Sequence, residues 1–184
     1  QNPAATALPA EAAEAAIGGA FSLTDQHGKK TSDTDFRGRL MLVFFGYTHC
    51  PDICPVTSKA LSDTMELLGG KADQVAPIFI TVDPARDTPA VLKDFFSNFD
   101  KRIVGLTGSP EATKKVADAY KAYYAKNQPE DLEAEEHHHE KGHDAGHGHD
   151  DYLVDHSGYI YLMDREGKYV KHFPYDASPD ELVE

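Results

Sequence analysis

Residues 40–55 read LMLVFFGYTHCPDICP. The first six form an unbroken apolar run bounded by Gly46, the pattern of a strand buried on both faces. Such a strand needs helices above and below it, which places the chain in the α/β class. A helix follows at once. Pro55 suits a first helical turn, Val56, Ala60, Leu61, Met65 and Leu68 share one helical face, and Gly69-Gly70 ends it. The connection between strand and helix holds Cys50 and Cys54. It lies at a strand's carboxyl end, where open α/β sheets place their sites.

The same alternation continues outward. Val75–Val82 reads as a second buried strand, and Thr88-Pro89 caps a helix running to about Asn98. Ile103–Leu106 is a third strand. Ser109-Pro110-Glu111 opens a helix with Val116, Tyr120 and Tyr123 or Tyr124 on one face. Tyr159–Met163 and Tyr169–Phe173 flank the turn Asp164–Gly167 as a hairpin. At the other end Phe21–Thr24 and Lys30–Thr31 flank Gln26-His27-Gly28 as an N-terminal hairpin. Ser178-Pro179-Asp180-Glu181 announces a last helix. The sum is a mixed central sheet flanked by helices.

The chain has 184 residues, 40 % of them hydrophobic, enough for one domain with a sizeable core. A formal charge of −13 argues against a nucleic-acid partner. No apolar run is long enough to span a bilayer, and two cysteines do not make a disulfide-stapled miniprotein. The charge is uneven: residues 126–151 carry nine acids against two lysines, −7 of the total. With three apolar residues, Leu132, Ala134 and Ala145, this stretch cannot offset its ordering entropy by burial and reads as a mobile insertion. It holds six of the ten histidines: His137, His138, His139, His143, His147 and His149. Residues 1–19 are Ala-rich and read as a flexible tether. A start at Gln1 leads us to expect a signal peptide or membrane anchor upstream. Residues 20–184 then form the folded domain, a soluble unit expected to be monomeric.

Cys50 and Cys54 are four residues apart, about 6 Å along a helix axis, so both sulfurs can face one point. A helix N-terminus favours the thiolate. Two soft thiolates suit a thiophilic ion such as Cu(I), with a third ligand from elsewhere. A structural disulfide is the plainer reading, but its short ring contributes only roughly 2 kcal/mol, and the position reads as exposed. A redox-active dithiol is the stronger rival, though the usual redox spacing is two intervening residues and here it is three. A peroxidase of the peroxiredoxin kind expects Thr three residues before its cysteine. Tyr47 and Pro51 stand there instead.

Three stretches together are recognisable: FFGYTHCPDICP (Phe44–Pro55), VDPARDTP (Val82–Pro89) and DYLVDHSGYIYLMD (Asp151–Asp164). In order and spacing they resemble the SCO/SenC family, copper chaperones of thioredoxin-like fold that serve cytochrome c oxidase assembly. The resemblance implies a site in which Cys50, Cys54 and His156 bind Cu(I) and also Cu(II). It implies delivery to the binuclear copper site of oxidase subunit II, and loading by a copper-donating chaperone. It also implies an inner-membrane anchor and a periplasmic domain, with the mitochondrial inner membrane facing the intermembrane space as the alternative location. Imidazole beside two thiolates lets one site hold either copper oxidation state. Asp155 is a candidate for orienting the site, although adjacent strand residues face opposite ways.

Other residues carry less. His49 reads as a loop residue and not a ligand. Asp83, Arg86 and Asp87 read as a turn and helix start, with a partner-facing role as the alternative. Tyr120, Tyr123 and Tyr124 read as core and rim. The insertion histidines, which the family pattern does not supply, are an auxiliary site that would collect copper, zinc or nickel weakly. Two other functions use the same thiols: a thiol–disulfide oxidoreductase that reduces the acceptor's cysteines, and a redox or copper sensor. His156 discriminates, because a dithiol reductase can do without it.

Overall fold

A computed structural model describes residues 17–49, 53–122, 124–127, 153–156 and 158–183. The apolar run LMLVFF lies in β3 (Leu40–Gly46), which is parallel to β4 (Val75–Thr81), register Leu40 with Val75 through Gly46 with Thr81. β5 (Val104–Thr107) continues the parallel set beside β4. Antiparallel hairpins close both sides. β1 (Ser22–Asp25) pairs with β5 and with β2 (Lys30–Ser32), while β8 (Tyr159–Met163) pairs with β3 and with β9 (Tyr169–Pro174). The seven-stranded order is β2-β1-β5-β4-β3-β8-β9.

Helices cover both faces, as the two-sided apolar runs require. α1 (Ile53–Leu68) and α2 (Pro89–Phe96) pack on the face carrying Phe44 and Phe79: Phe79 meets Phe96 edge to face at 5.1 Å between centroids. On the other face Phe45 packs on Tyr120, which follows α3 (Pro110–Ala119), and on Tyr161. Thr88 and Ser109 cap α2 and α3 as expected, accepting the Val91 and Ala112 N–H groups, with proline in each first turn. α4 (Pro179–Val183) packs against α1. No helix among the described residues is long and apolar enough to cross a membrane.

Several expectations change in detail. α2 stops at Phe96, short of Asn98. α3 ends at Ala119, and Lys121, just past the C-cap Tyr120, takes a left-handed φ of 57°, so Tyr124 is not on the helix. Tyr124 instead begins β6 (Tyr124–Asn127), which pairs antiparallel with β7 (Leu153–His156) in a separate ribbon. Lys126 and Asn127, read as the start of the insertion, are therefore strand residues. At the N-terminus, Ile17 packs on the core and the Gly18 N–H donates to the Ala119 carbonyl at 2.8 Å, so the domain begins before residue 20.

Candidate metal centre

β3 ends at Gly46 and α1 begins at Ile53, so the cysteine segment lies at the carboxyl end of the two central strands. Cys54 is in the first turn of α1 and is fully buried, 0 % exposed. The expectation of an exposed position fails for this cysteine, because its side chain points under the β3 terminus and not along the loop. Its sulfur accepts the Tyr47 N–H at 3.4 Å. The carbonyl of the same peptide, on Gly46, accepts the Val82 N–H at 2.8 Å. One peptide group is thus fixed by the chain beyond β4 and directed at the sulfur. Gly46 is glycine for a spatial reason: a Cβ there would stand 2.6 Å from Cys54 Sγ and 2.9 Å from Phe79 Cε2.

The segment after β4 grips this loop from the side. Asp83 and Asp87 are both 0 % exposed. Asp87 Oδ1 accepts the Thr48 hydroxyl at 2.6 Å, and Oδ2 accepts the Thr48 N–H at 3.1 Å and the Thr81 hydroxyl at 2.7 Å. The Thr81 hydroxyl oxygen accepts the Asp83 N–H at 2.9 Å. Arg86 donates from Nε to Asp83 and lays its guanidinium over the Tyr47 ring, 5.9 Å from the centroid. Burial pushes the Asp87 carboxyl above its ordinary pKa; the bonds from Thr48 and Thr81 oppose that shift, and the neighbouring Asp83 charge adds to it. The reading of these residues as a turn and helix start holds but is incomplete. The two carboxylates face inward, so they do not present themselves to a partner.

His49 is exposed, its Nδ1 3.3 Å from the Thr48 hydroxyl. His156 is the last residue of β7, in register with Tyr124, and Asp155 is in register with Ala125. Tyr120 is a core residue, as expected. Cys50, Tyr123 and the insertion histidines lie outside the described residues. Among the described residues no three His, Cys, Asp or Glu groups converge as a metal centre; of the three expected donors, Cys54 alone has its side chain among them. Sequence reasoning missed the Thr48–Asp87–Thr81 network and the role of Gly46. The available signal was polar residues directly after a buried strand, at the end of the sheet where the cysteines lie.

The SCO1/SenC family model matches residues 9–184. The chain belongs to the SCO1/SenC family. A SCO2-like protein of Rickettsia felis is 39 % identical over 168 residues, 91 % of this chain and 74 % of its own length. Among solved structures, Bradyrhizobium japonicum ScoI with copper bound is 41 % identical at a TM-score of 0.76, covering 91 % of this chain and 96 % of that one. Arabidopsis thaliana ScoI with copper bound is 37 % identical at a TM-score of 0.73, covering 91 % and 94 %. The fold of the SCO1/SenC chain is accordingly thioredoxin-like, with the mixed sheet and N-terminal hairpin expected of it.

Proposed function

We propose that this chain is a copper metallochaperone that holds its cargo ion with the Cys50 and Cys54 thiolates and the His156 imidazole. Membership of a family with copper-bound relatives at 41 % and 37 % identity is the observation that carries the reading. The donor chemistry fits. Soft thiolates select Cu(I), and an imidazole extends the set to Cu(II). Cys54 meets the amide-rich first turn of α1 and the Tyr47 N–H, both suited to a negative sulfur. Ligand exchange with two incoming acceptor thiolates moves the ion without any redox step, and the imidazole is the donor most easily released. The acceptor is the binuclear copper site of oxidase subunit II, as the family resemblance implies, and a second chaperone supplies the ion. The domain works in the periplasm beside the inner membrane, held there by an anchor upstream.

The test is a Cu(I) competition titration of the reduced chain under anaerobic conditions. One tight equivalent is expected in the wild type. Loss of that equivalent is expected in Cys50→Ala and Cys54→Ala, with a weaker loss in His156→Ala. Unaltered binding in His156→Ala together with turnover of disulfide substrates would instead make the chain a thiol–disulfide oxidoreductase.

A further inference from the structure

We infer that Asp87 is a positioning residue for the copper donor Cys54, acting through Thr48 and the Tyr47 peptide; the inference rests on the copper-holding function proposed above. Burying a carboxylate among neutral partners is costly, and a fold that needed only a helix start after β4 already has Thr88 as the cap. Asp87 nevertheless lies fully buried and spends its acceptors on two hydroxyls and one backbone N–H. Two of those three bonds go to Thr48, thirty-nine residues away in sequence and next to Tyr47.

Tyr47 is therefore restrained on every side. Its ring lies under Arg86, itself paired with Asp83; its N–H points at Cys54 Sγ; the carbonyl across that peptide is tied to Val82. Asp87 restrains the peptide that follows. Releasing Thr48 removes the tie on the peptide that follows Tyr47 and leaves the Gly46–Tyr47 peptide held from the Val82 side, so the N–H directed at the sulfur is less firmly aimed. A hydrogen bond to a metal-bound thiolate withdraws charge from sulfur and fixes its orientation, and losing such outer support typically costs 10- to 100-fold in metal affinity. The acidic segment 83–87 is thus part of the metal site without touching the metal.

Asparagine separates position from charge. Its carbonyl can take the Thr48 N–H and Thr81 hydroxyl bonds, while its NH2 donates to the Thr48 oxygen, so the tether survives without the negative charge. The experiment uses the full reduced chain, anaerobic Cu(I) competition with a chelator, and the Cu(II)–thiolate charge-transfer band. Asp87→Ala is expected to lose about 10- to 100-fold in Cu(I) affinity and to shift the band. Asp87→Asn is expected to keep the wild-type band and affinity, and that rescue is what distinguishes a tether from a charge effect. Thr48→Val, which loses the hydroxyl bond but keeps the N–H, carries the test if Asp87→Ala does not fold, and a shifted band is expected. Wild-type behaviour of Asp87→Ala, or of Thr48→Val in its place, overturns the inference, as does an Asp87→Asn protein as impaired as Asp87→Ala. Wild type and Cys54→Ala are run beside them. Absence of a tight equivalent in the wild type, or its survival in Cys54→Ala, overturns the copper reading itself and the inference with it.

Discussion

Replacing Gly46 by alanine adds one methyl group where three elements converge. Its carbon would stand 2.6 Å from Cys54 Sγ, 2.9 Å from Phe79 Cε2 and 3.0 Å from Phe44 Cε1, and all three side chains are fully buried. None is the free end of a flexible surface chain, so relief requires α1 to move off the sheet or the two rings to leave their rotamers. Overpacking of this kind costs about 1–3 kcal/mol. The smaller unfolded-state entropy of alanine returns about 0.4–1 kcal/mol. The net loss is on the order of 1–2 kcal/mol, which for a chain of this length lowers Tm by roughly 2–8 °C. Because the tightest of these contacts is with the sulfur of a proposed ligand, copper affinity falls as well, by about tenfold or more. Gly105→Ala is the matched control. Its Cβ meets Phe96 Cε2 at 2.9 Å and Leu92 Cβ at 3.5 Å, a crowded though less tight place between β5 and α2 with no cysteine among its nearest atoms. The assay pairs thermal unfolding with anaerobic Cu(I) competition. Both variants should lose stability, and Gly46→Ala alone should lose copper. A Gly46→Ala protein with wild-type Tm and affinity would refute the packing argument.

Asp87 also gives the chain a pH signature. Burial raises its pKa in the folded state, so between the ordinary and the raised value the folded chain binds more protons than the unfolded one, and stability falls as pH rises through that window. Asp87→Asn is spared this loss, so its stability relative to wild type, followed by urea unfolding, should rise from acid pH and level off above the window. A pH-independent difference would contradict the assignment. Thr57 is buried and donates from its hydroxyl to the Tyr175 carbonyl at 3.1 Å, tying α1 to the turn before α4. Thr57→Val should cost about 1 kcal/mol in urea unfolding, and an unchanged midpoint would show that the tie carries no stability. Alanine at all six insertion histidines should remove the weak copper and zinc capacity while leaving one tight equivalent of copper in equilibrium dialysis. Loss of the tight equivalent would place the principal site in the insertion.

The parts of the fold readable in the sequence are those with local causes. LMLVFF and VAPIFIT declare buried strands by composition, and Thr88-Pro89 and Ser109-Pro110 declare helix starts by capping chemistry. The β6–β7 ribbon has no such local mark. Each strand is four residues long, and the pairing of Tyr124 with His156 joins positions separated by the polar insertion. The burial of Asp83 and Asp87 is equally hidden. An aspartate in a proline-flanked turn reads as surface until Thr48, from another part of the chain, supplies the donors that let it be buried. Cys54 illustrates both sides. Its place at a helix start was legible from Pro55 and the apolar spacing, whereas its burial under Gly46 depends on how closely α1 approaches β3. The ligand trio came from family resemblance, because no spacing rule joins His156 to a cysteine about a hundred residues earlier.

The central claim is that two thiolates and one imidazole hold one copper ion. X-ray absorption at the copper edge tests it most directly, on the reduced chain loaded with one equivalent of Cu(I) after the six insertion histidines are changed to alanine. A shell of two sulfurs and one nitrogen is expected in this protein, with the nitrogen lost in His156→Ala and a sulfur lost in Cys54→Ala. A nitrogen- and oxygen-only shell, or a shell that His156→Ala leaves unchanged, would contradict it.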